Sequence, residues 1–253
     1  MRNNDIEFIC VFTTGRSGTA LLSQVFGGNL WEKRKYHYKN NNLVCHEAWD
    51  TKDIPIPELK EEPSLSTDRA MSLQKNFIDK QIEIAQKEYP DMKKYFVTDM
   101  RIGRFFSHYV SKLPKSKIIY IERDRKEVVN SFMKRWNDRL ELYGQEKFEH
   151  FQKRAWDLNF YKATDRCSVS HMSPILWNSL YLERKLEWYW IECKIQWHHF
   201  LRNTNFQNVY IAKFKDMITE EGMRDLESFL EMPLYKDLLS IKANDRNQIR
   251  ERI

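Results

Sequence analysis

The stretch that most limits how this chain can fold is Glu7–Thr13, EFICVFT, followed at once by Thr14-Gly15-Arg16-Ser17-Gly18-Thr19-Ala20-Leu21-Leu22. A continuous β-branched and aromatic run, without polar alternation, predicts a strand covered on both faces, as in parallel sheets held between helices. The run stops at Thr14-Gly15, and four of the chain's seven glycines fall between positions 15 and 28. Glycine crowded behind a buried strand predicts a loop whose backbone must approach something closely. Apolar residues resume at Ala20, so the order reads strand, glycine turn, helix. Amides at a helix start have no intrahelical acceptor and carry the positive end of the dipole, which predicts an anion cradle. Gly15 and Gly18 let the backbone wrap the anion, Arg16 adds a fixed charge, and Ser17 and Thr19 offer hydroxyls. The plainer alternative is a strand-to-helix turn capped by Ser or Thr.

The rest of the chain alternates in the same way. Residues 43–45, 95–97, 117–121 and 208–212 read as further strands, and 71–89, 127–136, 180–201 and 223–230 as helices. This pattern predicts βαβ units and an α/β fold: three layers, with a central parallel sheet flanked by helices. Residues 51–68, carrying Pro55, Pro57 and Pro63, read as an exposed connection. Residues 137–179 follow no period and read as an insertion on the substrate side of a single domain spanning 1–253. With 253 residues, 42% of them hydrophobic, the chain has ample core material, which excludes disorder over most of its length.

The net charge of +6 permits a phosphorylated or sulfated ligand, and no dense basic run suggests nucleic-acid coating. Cys10, Cys45, Cys167 and Cys193 lie far apart without metal-type spacing, so neither a metal site nor a disulfide framework is expected. No apolar run approaches the ~20 residues of a membrane span, and Asp5 and Glu7 interrupt any leader-like start. The expectation is a protein of the cytoplasm with no membrane and no nucleic-acid partner.

A nucleoside-triphosphate loop reads GxxxxGK[ST], whereas here Thr19 follows Gly18 and the cation precedes that glycine by two residues. Residues 13–22 instead resemble the 5′-phosphosulfate loop of sulfotransferases that use 3′-phosphoadenosine-5′-phosphosulfate (PAPS). A second stretch, KIIYIERDRKEVVNSF, puts Arg123 at a strand end and Ser131 eight residues on, and resembles that family's clamp on the 3′-phosphate. An Arg fork and a hydroxyl at the C-terminal edge of an open sheet grip a phosphate from two directions. Taken alone, Arg123 reads as paired with Asp124 or Glu127 on a solvated turn. Trp188-Tyr189-Trp190, residues 209–217 and residues 225–230 resemble the family's aromatic helix, last strand and closing helix. The chain thus resembles the P-loop-like sulfotransferase fold, nearer the bacterial and Golgi types than the cytosolic phenol and steroid type. It departs from the cytosolic pattern at Arg16, where Lys is usual, at Ala20, at Arg125, and at Asp99-Met100-Arg101, where Lys-x-His would stand.

The resemblance implies PAPS as donor and adenosine 3′,5′-bisphosphate (PAP) as product, held by Gly15, Arg16, Ser17, Gly18, Thr19, Ala20, Arg123 and Ser131, with no metal. It implies a small-molecule acceptor bearing a hydroxyl or an amine. Arg16 would stabilise charge on the departing oxygen. A base must take the acceptor's proton; Glu47 is the first choice and His46 the second, and adjacent residues on an extended segment face opposite sides, so one of them faces the site. The alternative for both is a surface polar pair before Trp49. His108 reads as a core or surface histidine, and His198-His199 as structural. Five of the eight tryptophans lie between 156 and 197, where helix packing accounts for most of them. The rival functions are a P-loop kinase acting on a small hydroxyl compound and a non-catalytic nucleic-acid module. Oligomeric state is not readable.

Overall fold

The computed structural model describes residues 6–15, 18–28, 36–46, 53–202, 204 and 206–235. In chain order, β1 (Glu7–Thr13) leads through the glycine turn into α1 (Thr19–Val25), and β2 (Tyr36–Lys39) and β3 (Asn42–Cys45) form a hairpin. Then come α2 (Ile56–Lys60), α3 (Asp68–Glu88), β4 (Lys94–Val97), α4 (Met100–Phe105), α5 (Ser107–Val110) and β5 (Lys117–Glu122). The helices α6 (Arg125–Tyr143), α7 (Gln145–Leu158), α8 (Pro174–Ser179) and α9 (Leu182–Leu201) precede β6 (Val209–Lys213), α10 (Phe214–Met217) and α11 (Glu220–Leu230).

The sheet runs β2-β3-β4-β1-β5-β6, and β1 pairs in parallel with β4 on one side and β5 on the other. The continuous apolar character of β1 has the cause inferred for it. Phe8, Cys10 and Phe12 pack in one core with α3, α4, α5, α6 and α9, while Ile9 and Val11 join a second core with α1 and α11. Helices therefore cover both faces, and each fully buried Phe or Ile on the strand contributes about 1.5–3 kcal/mol.

The sheet is mixed, not wholly parallel as expected, because β2 runs antiparallel to β3. Asn40 and Asn41 hold φ of 52° and 61°, the left-handed pair that a two-residue hairpin turn needs, and Asn accepts it better than most residues. The asparagine run at 40–42 was the local signal for that hairpin.

Residues 53–68, the described part of the stretch 51–68, are not an exposed connection either. They contain α2, and Ile54, Ile56, Leu59, Lys60 and Leu65 are buried. The Lys60 ammonium is drawn inward by the carbonyls of Trp156 and Phe160 and by Asp165, at 3.1 Å. Those partners lie a hundred residues away, so a charged, proline-rich stretch looks exposed until the tertiary contacts are known. The segment 137–179 holds the end of α6 together with α7 and α8.

Candidate active site

Parallel strands deliver their C-terminal ends to one edge of the sheet. Thr14 and Gly15 follow β1 there, His46 follows β3, Thr98 and Asp99 follow β4, Arg123 follows β5 and Phe214 follows β6. The register brings the ends level: Thr13 pairs with Ile121, Cys45 with Val97, and Glu122 with Lys213. The chain leaves β1 for β3 and β4 on one side and builds β5 and β6 on the other, and open α/β sheets bind ligands in the crevice outside such a reversal.

The glycine turn is shaped by its two glycines. Gly15 holds φ of 80° and Gly18 holds φ of 88°, where a Cβ is strained. A Cβ at Gly18 would also run into the Phe214 ring, and one at Gly15 would lie 2.8 Å from the Met100 Sδ. Gly18 is the N-cap of α1 and supplies no side-chain cap, so the amides of the first turn keep their donors for another acceptor. Gly18, Thr19 and Ala20 line a pocket of about 370 Å³ together with His46 and residues of α6 and α7. Arg16, Ser17 and Glu47, three of the residues the sequence singles out, lie outside the described residues.

His46 is positioned by its neighbour on β4. Its Nδ1 lies 2.9 Å from the Thr98 Oγ1, and that hydroxyl donates to the Cys45 carbonyl at 3.3 Å. With its one proton on the carbonyl, the hydroxyl is left to accept from Nδ1–H, an arrangement assigned from the network, and Nε2 is the ring nitrogen that Thr98 does not engage.

Arg123 sits at the lip of a second pocket of about 620 Å³, lined also by Trp190, Lys213 and Phe214. Its Nε donates to Glu127 Oε2 at 3.1 Å, so the ion pair raised as the plainer reading is present. The guanidinium also stands over the Phe214 ring, 5.2 Å from its centre. Lys215 and Arg123 both bond Glu127 and hold its carboxyl below the usual range. Asp124, the other partner considered, caps α6 by accepting from the Glu127 amide. Ser131 lies two turns into α6, half-buried, outside the residues that line these two pockets.

The aromatic helix does more than pack. Tyr189 donates its hydroxyl to the Thr14 carbonyl at 2.8 Å, and Trp190 donates Nε1–H to the Arg123 carbonyl at 3.1 Å. Two adjacent residues of α9 therefore hold the ends of β1 and β5. The sequence signal was the pairing of large rings with single polar atoms, which seek a partner when buried.

Arg104 was also missed. It is 1% exposed, its Nε donates to the Met100 carbonyl, and among the described residues both terminal nitrogens lack a hydrogen-bond partner. It packs against the rings of Phe160 and Tyr189. His108 is a core histidine, edge-on to Phe200, and burial pushes it down to about 4. His198 and His199 are exposed on α9.

No family model matches the chain, and no curated protein matches it. Among solved structures it is similar to a sulfotransferase domain from the curacin biosynthetic pathway, at 17% identity and a TM-score of 0.49, covering 97% of this chain and 80% of that one. It is also similar to retinol dehydratase in complex with androsterone and the inactive cofactor PAP, at 16% identity and a TM-score of 0.39, covering 95% of this chain and 63% of that one.

Proposed function

We propose that the chain is a sulfotransferase that uses PAPS to sulfate a hydroxyl or amine on a small-molecule acceptor. One observation carries this reading. The Phe214 ring packs on Gly18 and supports the Arg123 guanidinium at 5.2 Å, so the loop after β1 and the cation after β5 meet at a single side chain. Two anion-binding elements that close suit a nucleotide phosphorylated at both ends.

The residues present fit such a donor. Gly18, Thr19 and Ala20, at the uncapped start of α1, would hold the 5′-phosphosulfate with Gly15, Arg16 and Ser17 as the resemblance implies, and Arg123 at the second pocket would hold the 3′-phosphate, with Ser131 the hydroxyl that the resemblance adds. Trp190 and Phe214 border a volume of about 620 Å³, within the range of small-ligand sites and walled by rings that suit a purine. Glu127 competes for Arg123 at 3.1 Å, and a bound phosphate takes over that partner. The donor, when bound, supplies a sulfuryl group on a phosphosulfate anhydride.

The protein's own tasks are then to stabilise charge and to move one proton. Arg16, as the sequence resemblance implies, would stabilise the growing charge on the leaving oxygen, an electrostatic role. His46, held by Thr98 with Nε2 available, takes the acceptor's proton, a contribution of roughly 10²–10⁴-fold. Glu47 is the other base this segment offers.

The test is a thermal melt with PAP, ADP, ATP and AMP in parallel, followed by calorimetry on Arg123→Ala. PAP alone raises the melting temperature substantially, because a ligand that binds only the native form stabilises it. Arg123→Ala weakens PAP binding about 10- to 150-fold, the loss of a charge-assisted hydrogen bond. Equal stabilisation by ATP, or unchanged affinity in the variant, removes the assignment.

A further inference from the structure

We propose that Lys215 is a positioning residue for the preference for a 3′-phosphorylated nucleotide: it holds the Glu127 carboxylate so that Arg123 is released to the phosphate. This deepens the donor reading above and rests on it.

The register of the last two strands creates the arrangement. Glu122 of β5 pairs with Lys213 of β6, so Arg123 and Phe214, each one residue past that pair, leave the sheet side by side. Lys215 follows on α10. Glu127 lies in the first turn of α6, four residues after Arg123. Its carboxylate is shared between the two strand ends. Lys215 Nζ reaches Oε1 at 3.0 Å, and Arg123 Nε reaches Oε2 at 3.1 Å. All three residues line the pocket of about 620 Å³.

Glu122, Asp124 and Asp216 line that pocket too, so a phosphate enters it against negative charge. Glu122 accepts from Lys194 at 2.7 Å, and Asp124 caps α6. Glu127 matters most, because it bonds the cation that the phosphate needs. A phosphate ester carries between one and two negative charges near neutral pH. When it takes the Arg123 fork, Glu127 loses one partner and faces that charge across the same pocket. A second cation on its other oxygen neutralises it there. Without Lys215 the carboxylate either stays on Arg123, in competition with the phosphate, or stands unpaired beside it. The Lys215 side chain is 75% exposed, and exposed ion pairs add little to stability, so the pair can be removed without unfolding the chain. A compact ammonium on a flexible stem can follow the carboxylate as it turns.

The experiment is calorimetry on the full chain at low ionic strength, where charges are screened least, with PAP and AMP as probes. The ratio of the two affinities reads the 3′-phosphate alone. Lys215→Gln should weaken PAP binding about 3- to 10-fold and leave AMP binding unchanged. Lys215→Arg should restore the preference, and both variants should melt near the wild-type temperature. Glu127→Gln removes the competing charge, so adding Lys215→Gln to it should cost PAP affinity nothing further. A Lys215→Gln protein that keeps the wild-type preference overturns the proposal, as does a parallel loss of AMP binding. An equal loss in the Glu127→Gln background also overturns it, by making Lys215 a direct phosphate ligand. If the unaltered chain binds PAP no better than AMP, the donor reading falls and this one with it. A wild-type preference that the Lys215 variants leave untouched removes this proposal alone.

Discussion

At Gly18 a backbone demand and a packing demand coincide. Its φ of 88° strains any L side chain, and a Cβ would meet the Phe214 ring that supports Arg123. Gly18→Ala should therefore cost about 1–2 kcal/mol of stability and displace the ring on which the cation rests. Calorimetry should then find PAP affinity reduced about tenfold, with a lower melting temperature; wild-type values for both would show that the turn does not shape the site. This glycine was legible in the sequence because positive φ is a local requirement. Its neighbour Phe214 was not, since 196 positions separate the two and nothing local pairs them. Arg123 illustrates the same limit. Its place at the end of β5 follows from an apolar run, but whether its fork meets Glu127 or a ligand depends on what else occupies the crevice.

Among the helices, α9 shows how much an element can conceal behind a clear period. The apolar spacing of 180–201 predicts a helix, and α9 spans Leu182–Leu201. Its tethers to Thr14 and Arg123 were invisible, because the partner of an indole N–H or a phenol O–H is set by the sheet beneath it. Trp190→Phe keeps the ring packing and removes the donor to the Arg123 carbonyl, a loss of about 0.5–1.5 kcal/mol. We expect PAP to bind about 2- to 10-fold more weakly while the melting temperature changes little. A Trp190→Phe protein with unaltered PAP affinity would reduce this tether to packing. The extension of α6 to Tyr143 escaped the sequence for a related reason. In its last turns the apolar Leu142 and Tyr143 are exposed and blur the helical period, and Arg135 and Arg139 lie on the face that α7 encloses only after folding.

The whole molecule is a sheet with helices on both faces, and its stability carries the mark of one buried histidine. Burial, with the charges of Lys112 and His199 adding to it, pushes His108 from the ordinary 6.5 down to about 4. As the pH falls through 6.5 the unfolded chain takes up a proton that the folded chain refuses, so the unfolded state binds more protons and stability drops. The loss grows from about pH 6.5 to pH 4 and reaches up to about 3 kcal/mol. His108→Leu should flatten this acid limb in denaturant titrations repeated across that range. Matching slopes in the two proteins would mean that other groups dominate the acid response.

What the sequence determined by itself was local in origin. A strand buried on both faces reads as an unbroken apolar run, a left-handed turn calls for glycine, and helix faces repeat at three and four residues. Those patterns were sufficient for β1, the left-handed glycines at 15 and 18, the helices α3 and α9 and the α/β class. Only the tertiary structure decided that β2 closes the sheet antiparallel, that Lys60 turns inward to distant carbonyls, and that Phe214 joins the β1 loop to Arg123. It also gathered Arg135, Arg139 and His46 around one cavity. Each of these depends on which side chains meet across the sheet, and such meetings are set by packing between segments far apart in the chain, which no short stretch of sequence encodes.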